Sequence, residues 1–395
     1  MLFVHSISIL PLLSEKRLYI LIMIKASLFK TICIIGIVSL FMHCQPEKTE
    51  IYLGADLSYV NEMEDCGGKF KKSGKVADPY KLFSQSGANI IRVRLWHSPG
   101  WTAYSDFEDV KLTIRRTKEN NMQVLLDFHY SDDWADPQKQ IIPKAWESVE
   151  DVKTLGDSVY NYTLKTLLKL SRAGLAPEFV QVGNETNIEI LQPKNAMVVD
   201  QINWERNNFL LNKGLAAVDT FNKQTSGSVQ KMIHIAQPEN AFWWFTEAIK
   251  NGLDDFDWIG LSYYPKWSEY KFQDIPQAID SLKRLFNKRV MIVETAYPFT
   301  MENADEAGNI LGDDALIPGY PATPEGQLNY MLDLTKLTIE GGGEGVIYWE
   351  PAWISTPCST RWGKGSHWDN ATFFDANNKN EALPAFKYFN QGKYK

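Results

Sequence analysis

Gln123-Val124-Leu125-Leu126-Asp127-Phe128, then a helical stretch over 152–173 stopped by Gly174, then Phe179-Val180-Gln181-Val182: this stretch decides the fold. The two flanking runs are short and apolar, as strands buried on both faces should be. Between them Leu155, Val159, Tyr162 and Leu170 recur at helical spacing. Strand, helix and strand in that order read as a parallel βαβ unit. Working outward, six more runs of the same kind occur at 52–56, 90–95, 232–236, 258–262, 290–294 and 345–349. The helices between them carry their own punctuation. Asp78-Pro79 supplies an N-cap and a first-turn proline, and Gly87 a C-terminal stop. Eight such units predict an α/β fold, a closed (β/α)8 TIM barrel, as a single domain over 51–395. The run Gly341-Gly342-Gly343-Glu344-Gly345 precedes a strand instead of following one, so it is a turn and not a phosphate loop.

The chain has 395 residues, 44% of them apolar, and a formal net charge of −7. An acidic balance of that kind argues against a nucleic-acid partner. Aromatic residues make up 13%, including 13 Trp. Flat C–H faces of sugars stack on such rings, so the excess suits a carbohydrate groove; core packing in a large barrel is the other use, and the Trp residues divide between the two. The first 50 residues differ from the rest. A basic start, an apolar stretch over 24–41 and Cys44 directly after it predict an export signal at 23–43, lipidation of Cys44 and a polar tether at 44–50. His43 stands where a small residue is usual, and an uncleaved anchor is the alternative. Residues 1–22 fit neither scheme and read as an upstream extension, with Met23 the expected start. The expected location is therefore outside the cytoplasm, lipid-anchored to the cell envelope, with membrane contact only through that anchor and the protein otherwise a monomer. Cys66 and Cys358 follow the first and eighth strands, which are neighbours where a barrel closes; a disulfide or two free thiols are both open.

In this fold catalytic groups sit at the C-terminal ends of the strands. Polar and aromatic residues gather there: Arg92, Arg94 and His97; Asp127, His129, Asp132, Asp133, Trp134 and Asp136; Asn184 and Glu185; Tyr263, Tyr264 and Trp267; Glu294; Trp349 and Glu350. Cleaving a glycoside needs two carboxyl groups, one to protonate the leaving oxygen and one to attack or to activate water. Glu185 and Glu294 end strands four and seven, which face each other across the barrel. A lone strand-end Glu is more often a cap or a surface charge; two at these positions, one preceded by Asn, are a catalytic pair. Asp56 and Asp127 read as braces for their neighbours. Trp349, Trp353, Trp362 and Trp368 cluster late in the chain and should include a stacking platform. Gly-x-Ser-x-Gly and His-Glu-x-x-His do not occur.

Seven segments then match one family in order: Gly54-Ala55-Asp56-Leu57-Ser58, Arg92-Val93-Arg94-Leu95-Trp96, Leu126-Asp127-Phe128-His129-Tyr130-Ser131-Asp132, Trp134-Ala135-Asp136-Pro137, Val182-Gly183-Asn184-Glu185, Gly260-Leu261-Ser262-Tyr263-Tyr264-Pro265 and Glu294-Thr295-Ala296-Tyr297-Pro298. With them the chain resembles the family 53 endo-β-1,4-galactanases (arabinogalactan endo-β-1,4-galactanases) of the retaining 4/7-barrel clan. The resemblance implies retaining endo-hydrolysis of β-1,4-galactan, with no cofactor for the chemistry. It makes Glu185 the acid/base and Glu294 the nucleophile. Asn184 would hold the sugar 2-hydroxyl, Arg94 would keep Glu294 ionised, and Tyr263 would hydrogen-bond it. Read from their places on the rim, His129, Asp136, Trp349 and Trp353 are candidates for substrate contact, with an ordinary packed His the alternative for His129. Rival readings are a β-mannanase or β-glucanase of the same clan, or a non-catalytic glycan-binding lipoprotein. Asn303, Asp305 and Asn309 offer oxygens on alternate residues, a pattern that suits Ca2+. The resemblance adds Ser366 and Asp369 to that set; a polar surface loop is the alternative.

Overall fold

The structure, a computed structural model, describes residues 50–194 and 201–394. The expected signal, the Cys44 anchor and the extension at 1–22 lie outside those residues. Eight parallel strands close into a barrel: β1 (Tyr52–Asp56), β2 (Ile90–Leu95), β3 (Gln123–Phe128), β4 (Phe179–Val182), β5 (Gln230–Ala236), β6 (Trp258–Ser262), β7 (Arg289–Glu294) and β8 (Gly345–Tyr348). Each pairs with its sequence neighbour, and β1 closes the ring by pairing with both β2 and β8. The covering helices are α1 (Pro79–Ser86), α2 (Phe107–Glu119), α3 (Val152–Arg172), α4 (Trp204–Thr225), α5 (Pro238–Lys250), α6 (Ile275–Phe286) and α7 (Pro324–Glu340). The caps read from sequence are in place. Asp78 accepts from the Lys81 N–H, and Gly87 takes the left-handed conformation at φ 107° that a side chain resists. No α-helix follows β8 among the described residues. The 3-10 run Pro384–Phe389 covers that seam, with Phe386 and Phe389 packed on Phe83 of α1.

The barrel interior has two storeys, because alternate strand residues face inward. The lower storey is apolar: Tyr52, Ile90, Leu125, Phe179, Met232, Trp258, Met291, Val293 and Ile347 form one closed cluster. Tyr52, Phe179 and Trp258 meet edge to face at its centre. Further up the same strands the inward residues turn polar: Asp56, Arg92, Asp127, Gln181 and His234. The lower plug excludes water from below, so these groups must satisfy one another. Among the described residues no helix is long and apolar enough to cross a membrane. Cys66 and Cys358, after β1 and β8, are joined as a disulfide.

Candidate active site

The chain leaves β4 through Gly183 and Glu185, both in the left-handed region at φ 86° and 43°. For a residue with a side chain that conformation costs about 1–2 kcal/mol. It is held by Gln140, whose amide donates to the backbone carbonyls of Asn184 (2.8 Å) and Glu185 (3.2 Å). The turn sets Glu185 over the barrel mouth, opposite Glu294 at the end of β7. One carboxylate oxygen of each, with a ring nitrogen of His234, lie within 4.8 Å of one another. Retaining glycosidases hold their carboxyls about 5–5.5 Å apart, and inverting enzymes about 6.5–9.5 Å to admit a water. The separation here fits direct attack.

The two carboxyls are buried to the same degree but partnered differently. Glu294 accepts from Arg92 Nη1 (3.0 Å) and from the Tyr264 hydroxyl (3.0 Å). Glu185 accepts from the Ser262 hydroxyl at 2.5 Å. Burial lifts both above the usual carboxylate range, Glu294 to about 7 and Glu185 well above its ordinary value. Glu185 rises further because the charge of Glu294 adds to its burial, whereas Arg92 and Tyr264 hold Glu294 down. The last proton on the pair therefore belongs on Glu185, as an acid opposite an ionised nucleophile requires.

Hydrogen-bond geometry also places that proton. His234 Nδ1 takes the backbone N–H of Glu185 (3.4 Å), which can only donate, and faces the Gln181 amide nitrogen (3.0 Å); Asn184 Oδ1, also 3.0 Å away, is engaged by Arg92, so Nδ1 is assigned as acceptor and the ring hydrogen to Nε2. Burial keeps the ring neutral, well below its ordinary pKa. Nε2 lies 2.9 Å from Ser262 Oγ and donates to it, which leaves the serine hydrogen to point at Glu185 Oε1. An acidic proton on Glu185 then sits on Oε2, the oxygen that Ser262 does not occupy. Ser262 stabilises the ionised form of Glu185 and so lowers its pKa. Activity needs Glu185 protonated and falls as pH rises through that pKa. A Ser262→Ala enzyme is thus expected to keep its acid limb and move its basic limb to higher pH, with turnover down about tenfold for one hydrogen bond to a charged group. Rate profiles with superimposable basic limbs would remove Ser262 from this role.

Arg92 is the hub of the polar storey. It reaches Asp56 (3.1 Å), Asp127 (2.8 Å), Glu294 (3.0 Å), Asn184 Oδ1 (2.6 Å) and Gln181 (3.3 Å). This corrects the assignment of Arg94 as the partner of Glu294. Arg94 lies one inward step higher, pairs with Glu350 at 3.1 Å, and is enclosed by the rings of Tyr59, Trp96 and Trp134. Tyr263 is corrected too. Ser262 and Tyr264 share a face of the chain and Tyr263 takes the other, so its hydroxyl goes to the Tyr270 carbonyl (3.3 Å) and Tyr264 binds Glu294. The Asn184 amide donates to the Ala135 carbonyl at 2.8 Å, which fixes its orientation at the mouth. His129 accepts from the Ala135 N–H on Nδ1 and donates from Nε2 to Asp127 (3.1 Å).

A cleft of about 940 Å3 opens over the pair, with Asn184, Arg94, His129, Asp136, Trp349 and Trp353 among its lining residues. Trp134, Trp267, Trp362 and Trp368 complete an aromatic wall. Tyr263 is not part of it. The sequence segments contain Arg92, Tyr264, Ser262 and Gln181 without marking their roles, and nothing in them singles out His234. The available signal was period two: polar residues two apart within otherwise apolar strands.

The loop after β7 closes on its own donors. The Asn309 amide nitrogen sits 2.6 Å from Asn303 Oδ1 and 2.7 Å from Asp369 Oδ1. Asp369 Oδ2 accepts from the Ala304 N–H, and Asp305 accepts from the N–H groups of Ala307 and Ser366 and from the Ser355 hydroxyl. The Ser366 hydroxyl turns to the Trp353 carbonyl. Calcium needs six to eight oxygens facing one point. Here the Asn303, Asp305 and Asp369 side chains are engaged by N–H and O–H donors, while Asn309 Oδ1 is buried without a partner among the described residues.

An eight-stranded barrel carrying close carboxyls after β4 and β7, under an open aromatic cleft, defines a retaining glycoside hydrolase. The chain belongs to glycosyl hydrolase family 53, whose sequence profile matches residues 52–389. It is 57% identical over 343 residues to an arabinogalactan endo-beta-1,4-galactanase of Cellvibrio japonicus, covering 87% of this chain and 91% of that one. An endo-beta-1,4-galactanase of Bacillus subtilis is 33% identical, over 76% of this chain and 70% of its own. The solved family 53 catalytic domain of Ignisphaera aggregans superposes with a TM-score of 0.78 at 30% identity, covering 88% of this chain and 97% of that one.

Proposed function

We propose that the protein is an endo-β-1,4-galactanase that cleaves internal linkages of galactan and type I arabinogalactan, the side chains of pectin, with retention of configuration. The observation that carries the reaction type is the approach of Glu185 and Glu294 within 4.8 Å. The linkage and sugar rest on the relative from Cellvibrio japonicus. In the first step Glu294 attacks the anomeric carbon while Glu185 gives its proton to the leaving oxygen, and the reducing-side chain departs. In the second, Glu185 as carboxylate takes a proton from water, whose oxygen displaces Glu294. No further reactant is needed. Asn184 lines the cleft with both acids and would hold the 2-hydroxyl.

The test is time-resolved product analysis on linear β-1,4-galactan with proton NMR of the fresh reducing ends. Mixed oligosaccharides with β-anomeric new ends are expected. First-formed α-anomers, or hydrolysis confined to mannan or β-glucan, would overturn the reading.

The enzyme works outside the cytoplasm, held to the envelope by lipid on Cys44; the support is the sequence pattern over 23–50. Calcium takes no part in the chemistry, and we take the hydrogen bonds of the Asn303–Asn309–Asp369 loop to hold its shape. Melting is expected to be unchanged by excess chelator; a drop of several degrees would assign an ion to this loop.

A further inference from the structure

Three tryptophans are more than a third exposed: Trp243 (53%), Trp267 (48%) and Trp362 (38%). Trp267 and Trp362 line the cleft. Trp243 does not, yet it stands on α5 three residues after Asn240, which does line it together with Gln237. Residues three apart share a helix face, so the surface runs from the cleft edge at Asn240 onto the Trp243 ring. A single exposed ring is ordinary; this one is also braced. Trp204, at the start of α4, meets it edge to face at 5.7 Å and meets the buried Trp244 at 5.6 Å. The contact fixes the ring in place while more than half of the residue stays open to solvent.

We propose that Trp243, with Asn240 at the cleft edge, is a stacking platform for the galactan chain on the leaving-group side of the cleavage point. The side follows from topology. α5 follows β5, and β5 pairs with β4, which carries Glu185. Glu185 protonates the leaving oxygen, so the departing segment lies on its side of the cleft. A β-linked galactose unit offers a contiguous C–H face, which suits a flat, fixed indole, and its hydroxyls suit the Asn240 amide. The occupant is thus several residues of the polymer beyond the bond being cut, and only long substrates reach it.

The proposal rests on the galactanase reading, and its test separates the two. Trp243→Ala and Trp243→Phe are made in the full enzyme and again together with Glu294→Gln, which binds without cutting. The inactive forms are run through native gels containing linear galactan, β-mannan or β-glucan. Retardation by galactan is expected to weaken about 3–10-fold in Trp243→Ala and less in Trp243→Phe. In the active background KM for the polymer rises by the same factor, with turnover of galactotriose-length chains unchanged. Equal retardation of parent and Trp243→Ala, or equal losses on short and long chains, overturns the platform. If mannan or glucan retards the parent and Trp243→Ala releases it, the platform stands and the galactan reading falls. A parent retarded by none of the three counts against both.

Discussion

Glu294→Gln is expected to lose turnover of every substrate, aryl galactosides with good leaving groups included, by more than about 10⁴-fold, the upper end of what a positioned acid or base supplies. Glutamine keeps the shape and the Tyr264 hydrogen bond but has no negative oxygen to bond the anomeric carbon. Nothing else in the cleft replaces it. Asp56 and Asp127 lie deeper, fully buried and locked to Arg92. Glu185→Gln should differ in kind. On galactan it should fall about 10²–10⁴-fold, because the leaving oxygen gets no proton. On activated aryl substrates the first step needs no acid, so the glycosyl-enzyme forms in a burst and then accumulates. Steady-state and pre-steady-state rates on both substrate types check this. Substantial turnover by the Glu294→Gln enzyme, or identical leaving-group dependence of the two variants, would falsify the assignment of roles.

The second large effect belongs to Arg92→Met. That guanidinium pairs with three buried carboxylates at once. Removing one partner of a buried ion pair costs roughly 3–5 kcal/mol, because the remaining charge is left without compensation. Domains of ordinary stability have about 5–15 kcal/mol in total, so the variant should fold marginally and melt many degrees lower. Glu294 also loses the cation that holds its pKa down and takes up a proton at neutral pH. Activity should fall with it and should not recover at acid pH, where the nucleophile is protonated still more fully. Arg94→Met is the contrast. It breaks the pair with Glu350 and the ring enclosure, so it destabilises, but it leaves the contacts of Glu294 intact and the acid limb where it was. Thermal melts with pH–rate profiles of both variants decide. An Arg92→Met enzyme with near-native turnover would reverse the assignment of the two arginines.

The barrel was legible because each βα unit announces itself locally: apolar runs such as 123–128, caps such as Asp78, stops such as Gly87 and Gly174. Glu185 and Glu294 were legible because strand ordinal places them on one rim whatever the loops do. What the sequence hid was depth. Arg92 and Arg94 both face inward, and only the closed barrel shows which one lies level with Asp56 and Glu294 and which is lifted under Trp134. Tyr263 and Tyr264 differ by one residue, and one residue exchanges faces. Ser262 and His234 were hidden for another reason. Each is an ordinary small or buried polar residue until the two strands come side by side and the serine hydrogen has a single acceptor left. The Asn303–Asn309 loop shows the converse: alternate oxygens suggest a cation, yet one side-chain amide can occupy the same space.

The bond between Cys66 and Cys358, 292 residues apart, has a practical consequence. It closes residues 66–358, seven of the eight barrel strands and both catalytic glutamates included, into a covalent ring. A protease that clips any loop within that ring opens one peptide bond but releases no fragment, since the two pieces remain joined at the seam between β1 and β8. Clipped enzyme should run as one species on a denaturing gel without reductant and as two with it. In surroundings rich in proteases, damage to a loop and loss of the molecule become separate events.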